Sequence, residues 1–408
     1  MTDKRDSLIK ADSKREILQS LESHMSKTYE KIKKSGQYEY RKNLVKTYLI
    51  ESNYPAISDY YSDFLKNVNT NGKKTLKMEI NKIDEAFYSV ILTKKENHAV
   101  FYLDSMNPRF WILHTKSSVK DTDYLLNSMI QPIMSRLDNL WIDRNMLNQI
   151  RFNHADYLRS IGVQYRFGDV FPTDDVGETF TMRAHGAPSA EFLNLIEKFP
   201  ELSKFFSISS VGFKKVDKEN EIPAVAIEDI NYIGKFTVKG TSFYQHSEVV
   251  EDIQTNYERI LRYIENEFNL SYTGTKENIS IHGSPACIDL KRKIEDIDTF
   301  VKIVFSSKDP FRLSGYSKKL DSGTTLVSGL DLHNGDDFNL EITPFWMRMY
   351  LPEDACGNTI MRFICNIQRY YDANASLEGF EEIKNGSAFK PHETDEPVDR
   401  FMSREANT

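Results

Sequence analysis

The chain has 408 residues, of which 40% are hydrophobic and 12% aromatic, enough to bury a sizeable core. This length predicts two or three globular domains, and the composition excludes a disordered protein. The net charge of −7 argues against a protein that coats nucleic acid without specificity. The three cysteines lack metal-ligand spacing, which predicts reduced thiols in the cytoplasm, and no stretch has the apolar length of a membrane span.

Charge is unevenly distributed along the sequence. Residues 1–120 contain 22 Lys and Arg against 15 Asp and Glu, a balance of +7, whereas residues 121–408 contain 31 against 45, a balance of −14. A basic face near the N-terminus would suit an anionic partner. The alternative is a lysine-rich helix surface that contacts solvent.

The first seventy residues are predicted to be helical. Their first helix has an apolar stripe made of Leu18, Leu21, Met25 and Ile32. We expect this stripe to pack on the body of the protein or on a second copy of it, which would give a homodimer. A second helix is predicted from Leu44 through Leu49, and a third over residues 53–68.

From residue 75 the apolar period changes from helical to alternating, and strands followed by one helix recur three times. We predict an α+β fold, in which a helical N-terminal segment precedes antiparallel sheets that are each covered by helices, in repeated strand-strand-strand-helix units. The predicted domains are a helical region, two α+β domains and a flexible polar tail. Their boundaries are 1–70, 75–204, 205–384 and 385–408.

Turns between a strand and a helix supply the candidate phosphate- or ligand-binding residues. The stretches HGAPS at 185–189 and HGSPA at 282–286 each follow a predicted strand, as does the stretch KGTS at 239–242. A helix N-terminus offers free N–H groups and a partial positive charge, which suit phosphate. The alternative is three tight turns without a ligand. The candidates are His185, Gly186, Ser189, His282, Gly283, Ser284, Lys239 and Thr241.

His114, Lys116 and Asp121 match the pattern H-x-K-x-x-x-x-D. Over these eight residues the chain resembles the phospholipase D-like phosphodiesterases. The resemblance implies that His114 is a nucleophile, Lys116 a phosphate ligand and Asp121 a supporting carboxylate. The sequence lacks the second H-x-K copy that this family uses. The alternative is that Asp121 caps the following helix and Lys116 is solvated.

His333 and Asp331 form a candidate metal site at a predicted hairpin marked by Asn334-Gly335. Both side chains lie on one face of the first strand, and other acidic residues follow, so they could bind a divalent metal. The alternative is a solvated hairpin tip. No other cofactor is predicted.

The sequence favours a non-catalytic intracellular binding protein, a subunit of a larger assembly that contacts nucleic acid or a partner protein. Its basic N-terminal region and the strand-to-helix turns would make these contacts. The alternative function is a phosphodiesterase or nuclease-like hydrolase that uses His114, Lys116 and Asp121 or a metal near His333. A third hypothesis is a sensor of a phosphorylated small molecule at the His-Gly turns.

Overall fold

The computed structural model describes residues 8–35, 44–70, 76–132, 135–172, 179–186, 188–199, 203, 205–217, 223–274 and 279–378. The predicted polar tail at 385–408 lies outside these residues. None of the described helices combines the length and the apolar composition that crossing a bilayer requires. The described elements confirm the α+β class, with antiparallel sheets and helices packed on them.

The described residues of the first part of the chain form six strands and three helices. Four of the strands follow one another directly. Its elements are α1 (Lys14–Ser35), β1 (Val45–Ser52), α2 (Ile57–Thr70), β2 (Lys77–Asp84), β3 (Phe87–Lys94), β4 (Asn97–Asp104), β5 (Phe110–Thr115), α3 (Val119–Ile130) and β6 (Leu137–Asn139). β2 to β5 run as an antiparallel meander, β5 returns to pair with β1, and β6 pairs with β1 as well.

The middle part adds five strands to the same sheet. Its elements are α4 (Arg144–His154), β7 (Tyr157–Arg166), β8 (Thr179–His185), α5 (Pro188–Lys198), β9 (Ser207–Asp217), β10 (Ala224–Asn231), β11 (Lys235–Gly240) and α6 (Phe243–Phe268). β11 pairs with β1, so the main path of the sheet has the order β2-β3-β4-β5-β1-β11-β10-β9-β7-β8. Strands before and after the predicted boundary between residues 204 and 205 belong to this one sheet. The predicted domain boundaries remain predictions.

The last part forms a second sheet. Its elements are β12 (Asn269–Gly274), β13 (Ile279–His282), β14 (Ala286–Asp289), α7 (Ile297–Val304), β15 (Leu313–Lys319), β16 (Thr325–Asp331), β17 (Asp337–Ile342), β18 (Trp346–Pro352), α8 (Asn358–Tyr370) and β19 (Ser376–Leu377). β18 pairs with β14 on the side away from β17, and β19 pairs with β14.

Two units therefore share one topology: a strand, a helix, a four-stranded meander that returns to the first strand, a helix, and a short strand on the first strand. The first unit runs from β1 to β6 and the second from β14 to β19. The predicted repeat is thus present in element order, but each unit is longer than the strand-strand-strand-helix pattern that the sequence indicated. The middle part differs, because β7 pairs with β8 and β9.

The predicted second helix at residues 44–49 is wrong, because this stretch belongs to β1. All eight residues of β1 are buried, since the strand lies inside the sheet with helices on both faces. A strand buried on both faces loses its alternating pattern, and the spacing of Leu44, Val45, Tyr48 and Leu49 then imitates a helix.

The apolar stripe of α1 packs on the chain's own sheet. Of the predicted stripe, Leu21 and Met25 are buried, together with Ile17, in a cluster with Val45 of β1 and Val238 of β11, whereas Leu18 and Ile32 are half-buried. This is the first of the two arrangements expected for the stripe, so these side chains are not available to a second copy of the chain.

A buried ion pair joins the two repeated units. Nη1 of Arg362, on α8, donates to Oδ2 of Asp138 at 2.6 Å, and Nη2 donates to Oδ2 of Asp331. The three side chains are at most 8% exposed. Burial acts to raise the pKa of Asp331, but the charge of Arg362 together with hydrogen bonds from His333 and Arg362 holds it well below its usual value. Asp138 is on β6 of the first unit, so this arginine ties that unit to the second.

We expect Arg362→Met to destabilise the protein by about 3–5 kcal/mol, because Asp138 and Asp331 would remain buried without a countercharge. Urea unfolding followed by circular dichroism measures this loss. The matched control is Arg348→Met, since the Arg348 side chain is 47% exposed and lies 3.7 Å from Glu341. A loss below about 1 kcal/mol for Arg362→Met would show that the pair does not hold the units together.

Candidate functional site

One face of the strands β7 to β11 carries a row of basic side chains. Alternation along the strands, with a register shift between Leu158 and Ser160 of β7, brings these residues to this face: Tyr157 and Ser160 of β7, Arg183 and His185 of β8, Gly212 and Lys214 of β9, Asp229 of β10, and Lys235 and Lys239 of β11. The helices α1, α4, α5 and α6 pack on the opposite face, with the apolar residues. We call this surface the basic face.

Strand register sets the order of the side chains across the basic face. Lys239 pairs with Ile227, which pairs with Lys214, which pairs with Tyr157. The next row of side chains on the same face pairs in the same way. Thr237 pairs with Asp229, which pairs with Gly212, which pairs with Ser160, which pairs with His185. With strands about 4.8 Å apart, the face spans about 19 Å from β11 to β8.

Positive charge predominates on the basic face, although the chain as a whole is acidic. Arg183 forms an ion pair with Asp229, and Nζ of Lys235 bonds to the Asp123 carboxylate of α3 at 2.6 Å. Nζ of Lys214 lies 5.7 Å from the ring centre of Tyr157. The basic face thus carries four cations, Arg183, Lys214, Lys235 and Lys239, in a chain with a net charge of −7, and Arg183 and Lys235 form ion pairs with Asp229 and Asp123.

Small residues form the middle of the basic face. A Cβ atom on Gly212 would lie 2.2 Å from Oγ of Ser160, and one on Gly162 would lie 2.4 Å from Oγ of Ser210. Arg183 reaches across these positions, because its Nη2 lies 3.4 Å from Oγ of Ser160 and it also pairs with Asp229 two strands further on. Ser160, Gly162, Ser210 and Gly212 are buried, so a partner would contact the side chains around them, including the exposed Arg183, and not the backbone of the sheet.

Three of the predicted turns lie at one edge of the first sheet. The ends of β5, β8 and β11 point the same way, so the turns after His114, His185 and Gly240 share this edge. Gly240 has φ +153° and its Cβ position lies 1.9 Å from the Val225 carbonyl, which requires glycine. Thr241 N–H donates to that carbonyl at 2.7 Å, and its Oγ1 accepts from Val225 N–H at 3.0 Å. The Thr241 groups are therefore used within the turn.

The turn at His185 is a strand-to-helix turn, as predicted. Gly186 has φ +72°, and α5 begins at Pro188. His185 is exposed on the basic face, whereas Ser189 is fully buried. His185 is therefore the member of this stretch that a partner can reach from the basic face.

The turn at His282 differs from the prediction, because it joins two strands, β13 and β14, in the second sheet. Nε2 of His282 lies 2.9 Å from Oγ1 of Thr273, and Ser284 donates to the Glu267 carbonyl at 3.1 Å. Gly283 has φ +87°, and its Cβ position lies 2.1 Å from the Asn269 carbonyl. The two His-Gly stretches thus use the same glycine conformation in different sheets.

His114 lies in a buried hydrogen-bonded chain. Its Nδ1 is 2.8 Å from Oγ1 of Thr47, which is 2.7 Å from Nε2 of His246, whose Nδ1 is 2.9 Å from the Glu228 carboxylate. Burial, with a smaller effect from His246, lowers the pKa of His114 to about 3. His114 is 6% exposed, so a phosphodiester could not reach it as the phosphodiesterase alternative requires.

The expectation that Asp121 caps α3 is wrong. Ser118 is the N-cap, since its Oγ accepts a hydrogen bond from Asp121 N–H at 3.3 Å. Ser118 in turn donates to the Asp121 carboxylate at 2.7 Å, a reciprocal arrangement like a capping box. Lys116, half-buried, precedes this cap.

The Asp331 carboxylate, and the backbone N–H and Nε2 of His333, are used inside the protein, whereas Nδ1 of His333 is buried without a hydrogen bond among the described residues. Asp331 accepts from Arg362, Thr359 and the His333 N–H, and His333 lies 3.3 Å from an Arg312 nitrogen. Burial, followed by the charge of Arg362, lowers the pKa of His333. In the part of the chain that the structure describes, no group of three or more His, Cys, Asp or Glu residues is placed to bind a metal.

Comparison with known proteins places this architecture in a family. The family model described as MJECL33-like protein matches residues 6–385. The chain belongs to the MJECL33-like protein family. It is similar to the uncharacterized protein MJECL33 of Methanocaldococcus jannaschii, with 32% identity over 398 residues that cover 89% of this chain and 93% of the relative. The match to the family model spans both repeated units.

Sequence reasoning missed several cations of the basic face in this MJECL33-like protein. Arg183, Lys214 and Lys235 lie on strands where polar and apolar residues alternate, as in KFTVKG at 235–240. That alternation was the available signal for a half-exposed face. It does not show that three such faces lie side by side, which depends on strand order.

Lys46, on β1 next to β11, lies buried at the margin of the basic face. It is fully buried, and Nζ donates to the Leu44 carbonyl at 2.8 Å. Burial, followed by the charge of Lys235, lowers the pKa of Lys46 from its usual 10.5 to about 7. Between these pH values the unfolded chain binds more protons at this residue than the folded chain, so its contribution makes stability rise with pH.

We expect Lys46→Met to remove up to about 1.4 kcal/mol per pH unit from the slope of unfolding free energy against pH between pH 7 and 10. Urea unfolding of both proteins at several pH values in this window measures the slope. The control is Lys318→Met, since Lys318 is exposed on the edge strand β15. Parallel curves for wild type and Lys46→Met would show that Lys46 titrates normally.

Proposed function

We propose that this protein is a non-catalytic binding protein that holds single-stranded nucleic acid on its basic face, inside the cell and as a subunit of a larger assembly. The observation that carries the proposal is the local positive charge of the basic face in an acidic chain. Phosphate contacts by Lys and Arg supply most of the sequence-independent affinity for nucleic acid. The three free cysteines are compatible with a reducing compartment.

The shape of the basic face supports an extended anionic strand. Its five strands span about 19 Å, and the cations lie around the small residues at its centre. Tyr157 is 56% exposed beside Lys214, so its ring is available for base stacking next to a phosphate contact. Stacking and phosphate contacts together are typical of surfaces that bind single strands.

The edge above the basic face adds to this support through the exposed His185, which lies at the turn after β8. The N-termini of α3 and α6 share this edge, but their first-turn N–H groups already have acceptors, because Asp121 N–H donates to Ser118 Oγ and Phe243 N–H donates to the Glu22 carboxylate, both at 3.3 Å. A strand that leaves the basic face would pass these turns.

The phosphodiesterase alternative has weaker support. It needs His114 to attack a substrate, but His114 is buried, is hydrogen-bonded to Thr47, and packs with its ring centre 5.2 Å from that of Phe243. We therefore favour binding without catalysis.

We expect a fluorescent single-stranded oligonucleotide to bind with a log–log salt dependence whose slope is about −1.4, if Lys214 and Lys239 each neutralise one phosphate while Arg183 and Lys235 keep their ion pairs. Fluorescence anisotropy across a salt series measures this slope. Lys214→Ala and Lys239→Ala should each reduce its magnitude by about 0.7 and weaken binding at every salt concentration.

The matched control for these variants is Lys318→Ala, an exposed lysine on the second sheet, which should leave the slope unchanged. Equal weakening by Lys318→Ala and Lys214→Ala would mean that binding depends on general charge and not on the basic face. Absence of binding at low salt would refute the proposal.

A further inference from the structure

A pocket of about 600 Å³ lies where the two repeated units and α6 meet, at the end of β1 opposite to the β11 turn. Loops of both units form its wall. The first unit contributes Asn53, Arg109 and Arg136, and the second contributes Asn334, Asp336 and residues 353–356. Glu265 and Asn269 come from the end of α6 and the start of β12. This volume is in the range of small-molecule sites.

The charge of the pocket lining is negative. Two arginines and four acidic residues line it: Arg109, Arg136, Glu265, Asp336, Glu353 and Asp354. Arg109 is already neutralised, because its Nε donates to buried Glu51 at 2.8 Å and its Nη1 donates to Glu265 at 2.9 Å. The lining therefore retains an excess of two negative charges, which favours a cationic occupant.

Asn269, which lines the pocket, has a buried acceptor that is not used. Its Nδ2 donates to the carbonyls of Glu353 at 3.0 Å and Ala355 at 2.7 Å, and these two bonds fix the amide with Oδ1 as an acceptor. The residue is 8% exposed, and Oδ1 has no hydrogen-bond donor among the described residues. A buried carbonyl without a donor costs about 1–3 kcal/mol, so a ligand N–H group at this atom would be stabilising.

Asp336 lies in the same pocket with its carboxylate held in place. Oδ2 accepts from Cys356 N–H at 2.9 Å and from Asn334 Nδ2 at 2.7 Å. Burial raises the pKa of Asp336, and the charges of Asp331 and Asp337 act in the same direction, whereas the Cys356 N–H and the charge of Arg136 oppose the shift. A bound cation would further stabilise the charged form of this half-buried carboxylate.

We propose that the junction pocket binds a small organic cation that carries several N–H donors, an amine or a guanidinium. The negative lining selects the charge, and Asn269 Oδ1 with Asp336 supplies acceptors for the N–H groups. A metal ion fits less well, because the described residues contain no group of three His, Cys, Asp or Glu ligands arranged around one point. Such a ligand would contact both units at once and stabilise their junction.

Isothermal titration calorimetry of the full chain with agmatine and with spermidine tests this inference. We expect saturable binding of at least one of the two, and Asp336→Asn should weaken it about tenfold, the loss of one charge-assisted hydrogen bond. The double variant Glu353→Gln/Asp354→Asn, at exposed rim positions, should also weaken binding without a burden on folding. Asp337→Asn is the matched control, since Asp337 is exposed next to Asp336 but does not line the pocket.

Three results would overturn the inference. The first is absence of saturable heat with both amines. The second is a weakening by Asp337→Asn as large as that by Asp336→Asn, which would indicate general charge screening. The third is unchanged affinity in the rim variant, combined with displacement of the amine by MgCl2 that is no better than by NaCl at equal ionic strength. The oligonucleotide assay uses different residues, so either proposal can fail alone.

Discussion

The arrangement of the molecule depends on Arg362, which is buried between two carboxylates that come from different units. Removing a charged arginine from water is costly, and the cost is offset only while Asp138 of the first unit and Asp331 of the second both contact it. Trp141 Nε1 also donates to Asp138, at 2.9 Å, and Asn358 donates to it at 3.2 Å. The relative position of the two units is therefore set by polar groups that tolerate little displacement, and the walls of the junction pocket are set with it.

The two units use the same topology but expose different surfaces, because their first strands have different neighbours. β1 pairs with β5 on one side, while β11 and β6 share its other side. Through β11, the five strands of the middle part join the sheet of the first unit. In the second unit the corresponding side of β14 carries only the two residues of β19, in the part of the chain that the structure describes. The basic face thus exists because the middle part of the chain adds to one unit and not to the other.

Much of this fold could be predicted from the sequence, for physical reasons that also mark the limits. The alternation of Phe236 and Val238 with Lys235 and Lys239 is typical of a strand with one buried face, and β11 has this structure. The Asn334-Gly335 hairpin and the amphipathic α6 were also readable. β1 could not be predicted, because a strand buried on both faces has no alternation. The turn at Gly283 was predicted to precede a helix, but a glycine with positive φ can precede a strand as well.

The candidate sites were harder to predict, because they depend on which segments become neighbours. Tyr54 and Tyr60 show this, because nothing in their local sequence indicates that both are buried and that Tyr60 packs against Trp111. Conversely, Lys214 and Lys239 belong to ordinary strands and acquire a joint role only through the register that places Ile227 between them. Local composition does not contain this information, since register is set by the buried face of each strand.

The basic face and the junction pocket are separated along β1, and this separation bears on how they could act. The eight residues of β1 span about 25 Å, with the β11 turn near Val45 and the pocket beyond Ser52. At physiological ionic strength the Debye length is about 8 Å, so the negative pocket does little to the potential at Lys239. Any influence of one site on the other must therefore pass through the packing of β1 between its helices and not through charge. Since β1 is buried along its whole length, a shift at one end is opposed by contacts along the strand, and the two surfaces should bind their partners independently.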